Sequence, residues 1–133
     1  MNARKDSADW RQLREFRGVD LLASYIVGWQ LDADRLEVDI DLQLSAEHPF
    51  YETPRPSEKG CIRAAVIEFP GCRSISRRGD DTPAAGIEAL VAELGHGAVE
   101  SFRVYDDGVY EIEGAFGRVV VDAGRPVLRL AGR

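Results

Sequence analysis

The sequence contains little cysteine and no long apolar segment. Two cysteines, Cys61 and Cys72, stand among 133 residues, and without a C-x-x-C spacing they suggest no disulfide framework. No uninterrupted apolar run approaches the ~20 residues that a membrane-spanning helix needs. The N-terminus lacks the apolar core of a secretory signal. We therefore expect a cytoplasmic protein with reduced thiols that does not bind membranes.

Recognisable catalytic and cofactor motifs are also lacking. The chain contains no G-x-S-x-G elbow and no Walker-type G-K-[ST], and Glu100 breaks the only start of a G-x-G-x-x-G fingerprint. Glu37 and Gln43 stand where an EF-hand loop needs its glycine and its bidentate glutamate. His48 and His96 have no second ligand at the short spacing of a zinc site. We expect no metal site, no cofactor and no catalytic residue, and the sequence favours a non-enzymatic protein.

The charge of the chain is acidic and unevenly distributed. The formal net charge is −6. Residues 31–58 contain eight carboxylates against two arginines, and residues 59–78 are basic. Because an acidic protein repels phosphate backbones, nucleic-acid binding is disfavoured. A protein partner of basic character is the better expectation.

The composition is that of one soluble globular domain spanning residues 1–133, with 44% hydrophobic and 30% charged residues. A short helix is predicted from Asp6 or Ser7 to about Arg14 or Phe16, and a second helix over 83–94. We predict an α+β fold with a mainly antiparallel curved sheet of about six or seven strands, a C-terminal meander, and one or two helices packed on it. The strands are expected at residues 19–31, 36–44, 61–69, 99–105, 109–116, 118–123 and 126–130.

The clearest periodicity is LEVDIDLQL, residues 36–44, in which apolar and polar residues alternate strictly. Glu37, Asp39 and Asp41 therefore share one face of a strand, about 6 to 7 Å apart. Such a carboxylate row suits a cation site or an Arg/Lys-rich partner. The alternative is a solvated face whose charges prevent unwanted strand pairing.

The segment SAEHPFYETPRPSEKG, residues 45–60, is a long connection with three prolines. Proline stiffens such a loop and favours an extended course. One interpretation is structural, with Phe50 or Tyr51 anchoring the loop to the core. The other is a contact surface beside the carboxylate row, with His48, Tyr51 and Arg55 as contact residues, because Tyr and Arg are favoured at interfaces.

The segment LQLSAEHPFYETPRPSEKGCIRAAVIEF, together with GAVESF and VYEIEGAFGRVVVD, resembles a group of small uncharacterised bacterial proteins. The resemblance spans most of residues 19–130 and implies no site residues. In size and charge the chain is similar to immunity proteins of bacterial toxin systems. That similarity implies an acidic, single-domain, non-enzymatic binding protein.

The leading hypothesis is an interaction protein, immunity-like in character. It would bind a basic partner through Glu37, Asp39, Asp41 and the adjoining loop residues. One alternative is a small-molecule or metal-binding domain with a site on the concave face of the sheet near His48 or His96. Another is a homo-oligomer whose exposed strands pair between copies.

Overall fold

The computed structural model describes residues 8–10, 13–57, 60–77, 87–105 and 108–130 of the chain. These residues form nine β-strands, one α-helix (α1, Ile87–Glu93) and one 3-10 turn (Arg14–Phe16). The strands are β1 (Ala8–Asp9), β2 (Val19–Asp32), β3 (Arg35–Leu44), β4 (Cys61–Phe69), β5 (Ser74–Arg77), β6 (Gly97–Val104), β7 (Val109–Gly114), β8 (Gly117–Asp122) and β9 (Val127–Leu130).

The predicted antiparallel sheet is confirmed, but the α+β class is not. Every strand pairing in the described part of the chain is antiparallel. The fold is mainly β, because α1 has seven residues and the strands outnumber the prediction. The additional strands are β1 and β5. Among the described residues, no helix has the length and apolar character required to cross a bilayer.

The sheet consists of two halves that are joined through β6. Its strand order is β5-β8-β7-β6-β2-β3-β4-β9, and β1 pairs with the far end of β6. Gly97 and Ala98 pair with β2, whereas Val99–Val104 pair with β7. We call β2, β3, β4 and β9 the first half, and β6, β7, β8 and β5 the second half. A junction of two residue pairs leaves the halves able to bend toward each other.

Aromatic contacts show that the halves face each other across a shared core. In a flat sheet β4 and β6 would stand three strand spacings apart, about 14 Å. Instead, the ring centroid of Phe69 in β4 lies 6.5 Å from that of Phe102 in β6 and 5.3 Å from that of Tyr110 in β7. Phe16 meets Phe102 edge to face at 5.5 Å. The sheet is therefore folded over, and its inner faces form the core.

The alternation predicted for β3 is confirmed. Leu36, Val38, Ile40, Leu42 and Leu44 are all buried, and the residues between them are half-buried or exposed. Successive Cβ atoms of a strand point to opposite faces. Burying one face of β3 therefore places its entire carboxylate row on the opposite, outer face of the sheet.

The predicted N-terminal helix is wrong over its described residues. After β1 the chain makes successive three-residue turns. The Leu13 N–H donates to the Trp10 carbonyl, and the Phe16 N–H donates to the Leu13 carbonyl. The 3-10 helix is limited to Arg14–Phe16, because Leu13 before it and Arg17 after it have extended backbone conformations. Trp10 and Phe16 are buried.

The helix predicted over 83–94 is confirmed along α1. Leu90 and Val91 are buried in the core. Just past the helix, the Gly95 carbonyl accepts a hydrogen bond of 2.7 Å from Trp29 Nε1, which ties this end of the helix to β2. The caps predicted for the two helices (Asp6 or Ser7, and Thr82 with Pro83) lie outside the described residues.

The segment PGCRSISRRGD, residues 70–80, is polar and turn-rich in sequence, yet it contains β5. This strand pairs with β8, with Ile75 opposite Val121. Ile75 is the one buried apolar residue of β5. A single apolar residue shows no alternation, so the strand is recognisable only through its pairing.

The C-terminal meander is confirmed for β6, β7 and β8 but not for β9. The last strand leaves the second half and pairs with β4, with Leu128 opposite Ile67. The Gly124 N–H donates to the Pro70 carbonyl at 2.7 Å. This bond fastens the chain after β8 to the end of β4 and so directs β9 along the edge of the first half.

β2 has 14 residues and two register shifts against β3. The first lies between Asp20 and Tyr25. There the buried Ser24 hydroxyl donates to the Asp20 carbonyl at 2.8 Å and accepts from the Gln43 N–H at 2.9 Å. These bonds satisfy backbone groups that the extra residues of a bulge would leave unpaired.

Gly18 fixes where the long loop begins. Its φ of +78° lies in the left-handed region, and its carbonyl accepts the Ser45 N–H at 2.9 Å. A Cβ at this position would come within 2.8 Å of the His48 Cα atom. Glycine is therefore required both by backbone conformation and by the close approach of the loop.

We predict that Gly18→Ala lowers the free energy of unfolding by about 1–3 kcal/mol, because it adds left-handed strain and a clash with the loop backbone. Urea denaturation followed by circular dichroism measures the change. Gly95→Ala is the matched control, since its Cβ would meet nothing within 4 Å. Equal stability of the two variants would show that the contact at Gly18 is unimportant.

Candidate partner-binding face

The outer side of the first half of the sheet brings predicted carboxylates together with exposed apolar side chains. Directly paired residues of antiparallel strands point to the same face. Asp41 is paired with Tyr25 on one side and with Ala64 on the other, so it lies between them. We call this surface the outer face and define it by Tyr25, Val27, Asp39, Asp41, Ile62 and Ala64.

Three large apolar side chains of the outer face are unusually open to solvent. Tyr25 is 43% exposed, Val27 is 51% exposed and Ile62 is 48% exposed. Val27 lies in the second register shift of β2, between Ile26 and Gly28, where a bulge alters the direction of a side chain.

Glu37 belongs to an ionic network at one end of the outer side, not to the open carboxylate row. Arg129 Nη2 lies 3.8 Å from Glu37, and Arg129 Nε lies 3.4 Å from Glu68. Glu68 in turn accepts a 2.5 Å hydrogen bond from Arg35. The side chain of Glu68 is 11% exposed, so the network shields a nearly buried carboxylate. Glu37 is thus committed to neighbours within the fold.

Asp39 and Asp41 are the carboxylates that remain for a partner. Asp39 is half-buried and accepts a 2.9 Å hydrogen bond from Gln30 Nε2. Asp41 is exposed, and no described side chain forms an ion pair or hydrogen bond with its carboxylate. The Asp41 carboxylate lies between Tyr25 and Ala64 and has no cationic partner among the described residues. It therefore complements a cation on an apolar surface of a partner.

The predicted loop residues Tyr51 and Arg55 have different surroundings. Tyr51 is half-buried and packs against the core. Arg55 is exposed beside a small cavity of about 230 Å³ that is also lined by Arg63 and by Ile62 of the outer face. Glu52 forms a 3.0 Å ion pair with Arg63, and its N–H lies 3.5 Å from Cys61 Sγ. The loop therefore covers the first residues of β4, where β9 does not pair.

The side chain of His48 contacts the backbone and the ring of Phe50. Its Nδ1 accepts a 3.0 Å hydrogen bond from the Phe50 N–H, and the two rings are 5.6 Å apart. Burial lowers the pKa of His48, and because Nδ1 accepts this hydrogen bond, the proton of the neutral imidazole lies on Nε2. The side chain shapes the start of the loop against Gly18.

His96 lies on the opposite side of β2 from the core. Its Nδ1 is 2.8 Å from the Tyr25 hydroxyl, in an exposed hydrogen bond. The two rings are 5.9 Å apart. This contact ties the end of α1 to the margin of the outer face and orients the Tyr25 ring.

The described residues include no group of three or more His, Cys, Asp or Glu side chains arranged to hold a metal ion. Both cysteines are free, Cys61 buried and Cys72 half-buried. Burial is the main cause of the raised pKa of Cys72, which makes its thiolate form less accessible at neutral pH.

Sequence reasoning identified the carboxylates but missed the apolar half of the outer face. Residues 19–31 are rich in apolar side chains, which suggested a strand without indicating which of them would be exposed. Tyr25 and Val27 remain exposed on the side of β2 that faces away from the core, although His96 contacts Tyr25 there. The alternation of β3 was the one sequence feature that indicated this surface. A polar row on the outer side of β3 implies that the neighbouring strands face solvent on the same side.

No protein-family model matches the chain, and no curated protein and no solved structure is significantly similar to it. The outer face is accordingly interpreted from its own geometry and chemistry.

The network around Glu68 predicts a specific acid sensitivity. The pKa of Glu68 is lowered, and the hydrogen bond from Arg35 is the main cause. The positive charges of Arg35 and Arg129 lower it further, whereas burial acts in the opposite direction. A carboxyl whose pKa is lower in the folded state stabilises the fold above its unfolded pKa, and this contribution disappears as the pH falls through the folded value. Glu68→Gln should therefore reduce stability at pH 7 and flatten the decline below about pH 5.

Urea unfolding at a series of pH values tests this expectation. Glu93→Gln, at an exposed position of α1, is the control and should keep the wild-type pH profile. A Glu68→Gln profile parallel to wild type throughout the acid range would contradict the role assigned to the network.

Proposed function

We propose that the chain is a protein-binding domain that engages a basic partner through the outer face. The observation that supports it most directly is Asp41, an exposed carboxylate between Tyr25 and Ala64. Exposed apolar surface next to unpaired charge is typical of interaction sites, because the apolar atoms supply affinity and the charge supplies orientation and association rate.

The second half of the sheet provides a contrast that favours this assignment. There, Arg118 forms a 3.2 Å ion pair with Glu113 across a hairpin. Arg103 is the direct cross-strand neighbour of Glu111. Charges of opposite sign therefore balance each other on that outer side, as expected of a surface that faces water. The outer face of the first half has carboxylates and apolar side chains instead.

The partner proposed is a protein with lysine or arginine side chains around an apolar centre. Its apolar centre would contact Tyr25, Val27 and Ile62, and its cations would reach Asp39 and Asp41. The similarity of the chain in size and charge to immunity proteins makes a basic toxin the partner class to test first. In that case binding would block the toxin rather than catalyse a reaction.

The test uses Asp39→Lys/Asp41→Lys, which reverses the carboxylates that are not part of the Glu68 network. We expect this variant to remain folded and to lose the partner, with at least a tenfold rise in Kd, as for other close charge pairs at interfaces. Affinity capture from a lysate of the source organism identifies the candidate, and calorimetry on the purified pair measures Kd.

Glu93→Lys/Glu100→Lys is the matched control, because it makes the same change in net charge at exposed positions outside the outer face. Ile62→Thr is a second probe, which removes apolar surface while keeping a β-branched residue. The proposal predicts weaker binding for Ile62→Thr and wild-type binding for the control. A partner that binds all variants equally would overturn it, as would failure to capture any basic protein.

A further inference from the structure

A cleft at the start of β2 has a different chemistry from the outer face. It has a volume of about 690 Å³ and is lined by Trp10, by residues between 13 and 20, and by Ser45, Glu47 and Arg125. Small-molecule sites are usually concave and of this size, roughly 300–1,000 Å³. No residue of the outer face lines the cleft, so its role is independent of the proposed function.

Apolar and basic groups of the segment around the 3-10 turn border the same cleft. The 3-10 turn is Arg14–Phe16, and Leu13 before it and Arg17 after it are extended. Trp10, Leu13 and Phe16 supply the apolar lining of the cleft. Arg14 and Arg17 also line it, and both are exposed.

Gly18 brings a second wall of the cleft close. Because it lacks a Cβ, the loop after β3 can approach until the Ser45 N–H donates to the Gly18 carbonyl. Ser45 and Glu47 thereby border the same cleft as Leu13. The loop and the N-terminal segment together create a concave site that neither forms alone.

The charges of the cleft differ from those of the chain. Three arginines line it against two carboxylates, Asp20 and Glu47, whereas the whole chain carries −6. Arg125 is held by a 3.0 Å ion pair with Glu15. No described carboxylate forms an ion pair with Arg14 or Arg17, so these two guanidinium groups are available to an anion.

We propose that this cleft binds a small organic anion, a carboxylate or a phosphate carried on an apolar group. The planar guanidinium groups of Arg14 and Arg17 would hold the charged end, for which arginine is suited by its bidentate geometry. The apolar body would lie against Leu13 and Trp10. Arg125, fixed by Glu15, forms a rigid positive border.

The experiment titrates the full chain with phenylacetate, phenyl phosphate and 2-phenylethylamine, three probes that share a ring and differ in charge. Nitrogen-15 NMR reports the position of binding, since Trp10 and Trp29 are the two tryptophans of the chain and their indole signals are separate. We expect an anionic probe to bind with a Kd on the order of 1 mM, as its size allows. The Trp10 indole and the Gly18 and Ser45 amides should shift, and the Trp29 indole should not.

Arg14→Gln and Arg17→Gln should each raise the Kd of the anionic probe several-fold. Arg103→Gln, at an exposed position of β6, removes the same charge elsewhere and should leave the Kd unchanged. Both cleft arginines are exposed, so their replacement should not disturb folding, and the amide spectrum checks this directly.

The proposal is overturned by any of three results. These are tighter binding of 2-phenylethylamine than of the anions, shifts confined to residues outside the cleft, and anion affinities that are equal in Arg17→Gln and Arg103→Gln. Because the outer face and the cleft share no residue, loss of anion binding and loss of a protein partner are distinguished by separate variants.

Discussion

The closure of the sheet depends on the contact of Phe69 with Phe102 and Tyr110. Phe69 ends β4, and its two partners lie in β6 and β7, on the other half of the sheet. The halves are joined directly by two residue pairs of β6 with β2, so hydrogen bonding alone would leave their angle undefined. Buried aromatic rings contribute a large apolar area and add about 0.5–1.5 kcal/mol per favourable ring pair. These contacts therefore set the angle between the two halves of the sheet. That angle decides which faces of the sheet are buried.

Once the halves are closed, each outer side has a separate character. On the second half, Arg118 and Glu113 neutralise each other. On the first half, Glu37 is tied into the network of Glu68, while Asp41 stays exposed beside Tyr25. The proposed binding surface is thus smaller than the carboxylate row of the sequence. It combines part of that row with apolar residues of two neighbouring strands.

The long loop and the N-terminal segment complete the ends of the sheet. The loop covers the start of β4, through the ion pair of Glu52 with Arg63, and its first turn lies against Gly18. Stiffening by proline suits this structural role, because less entropy is lost when the loop is ordered. The same close approach forms one wall of the cleft near Arg14. The close approach of the loop to Gly18 is required for packing. It also produces a concave site whose charge differs from that of the whole chain.

Local sequence patterns determined several of the strands and turns of this protein. The pairing of segments that are distant in sequence determined the remaining features. The alternation within residues 36–44 by itself specified a half-buried strand with its carboxylates on one side, because the strand period is set by backbone geometry. Apolar residues at 10, 13 and 16 predicted a longer helix, whereas the helical turn among the described residues there is the short 3-10 segment Arg14–Phe16. Nothing local specified the pairing of β9 with β4, the identity of β5 as a strand, or the exposure of Tyr25. Each of these depends on which distant segment packs against it, and only the closure of the two halves decides that.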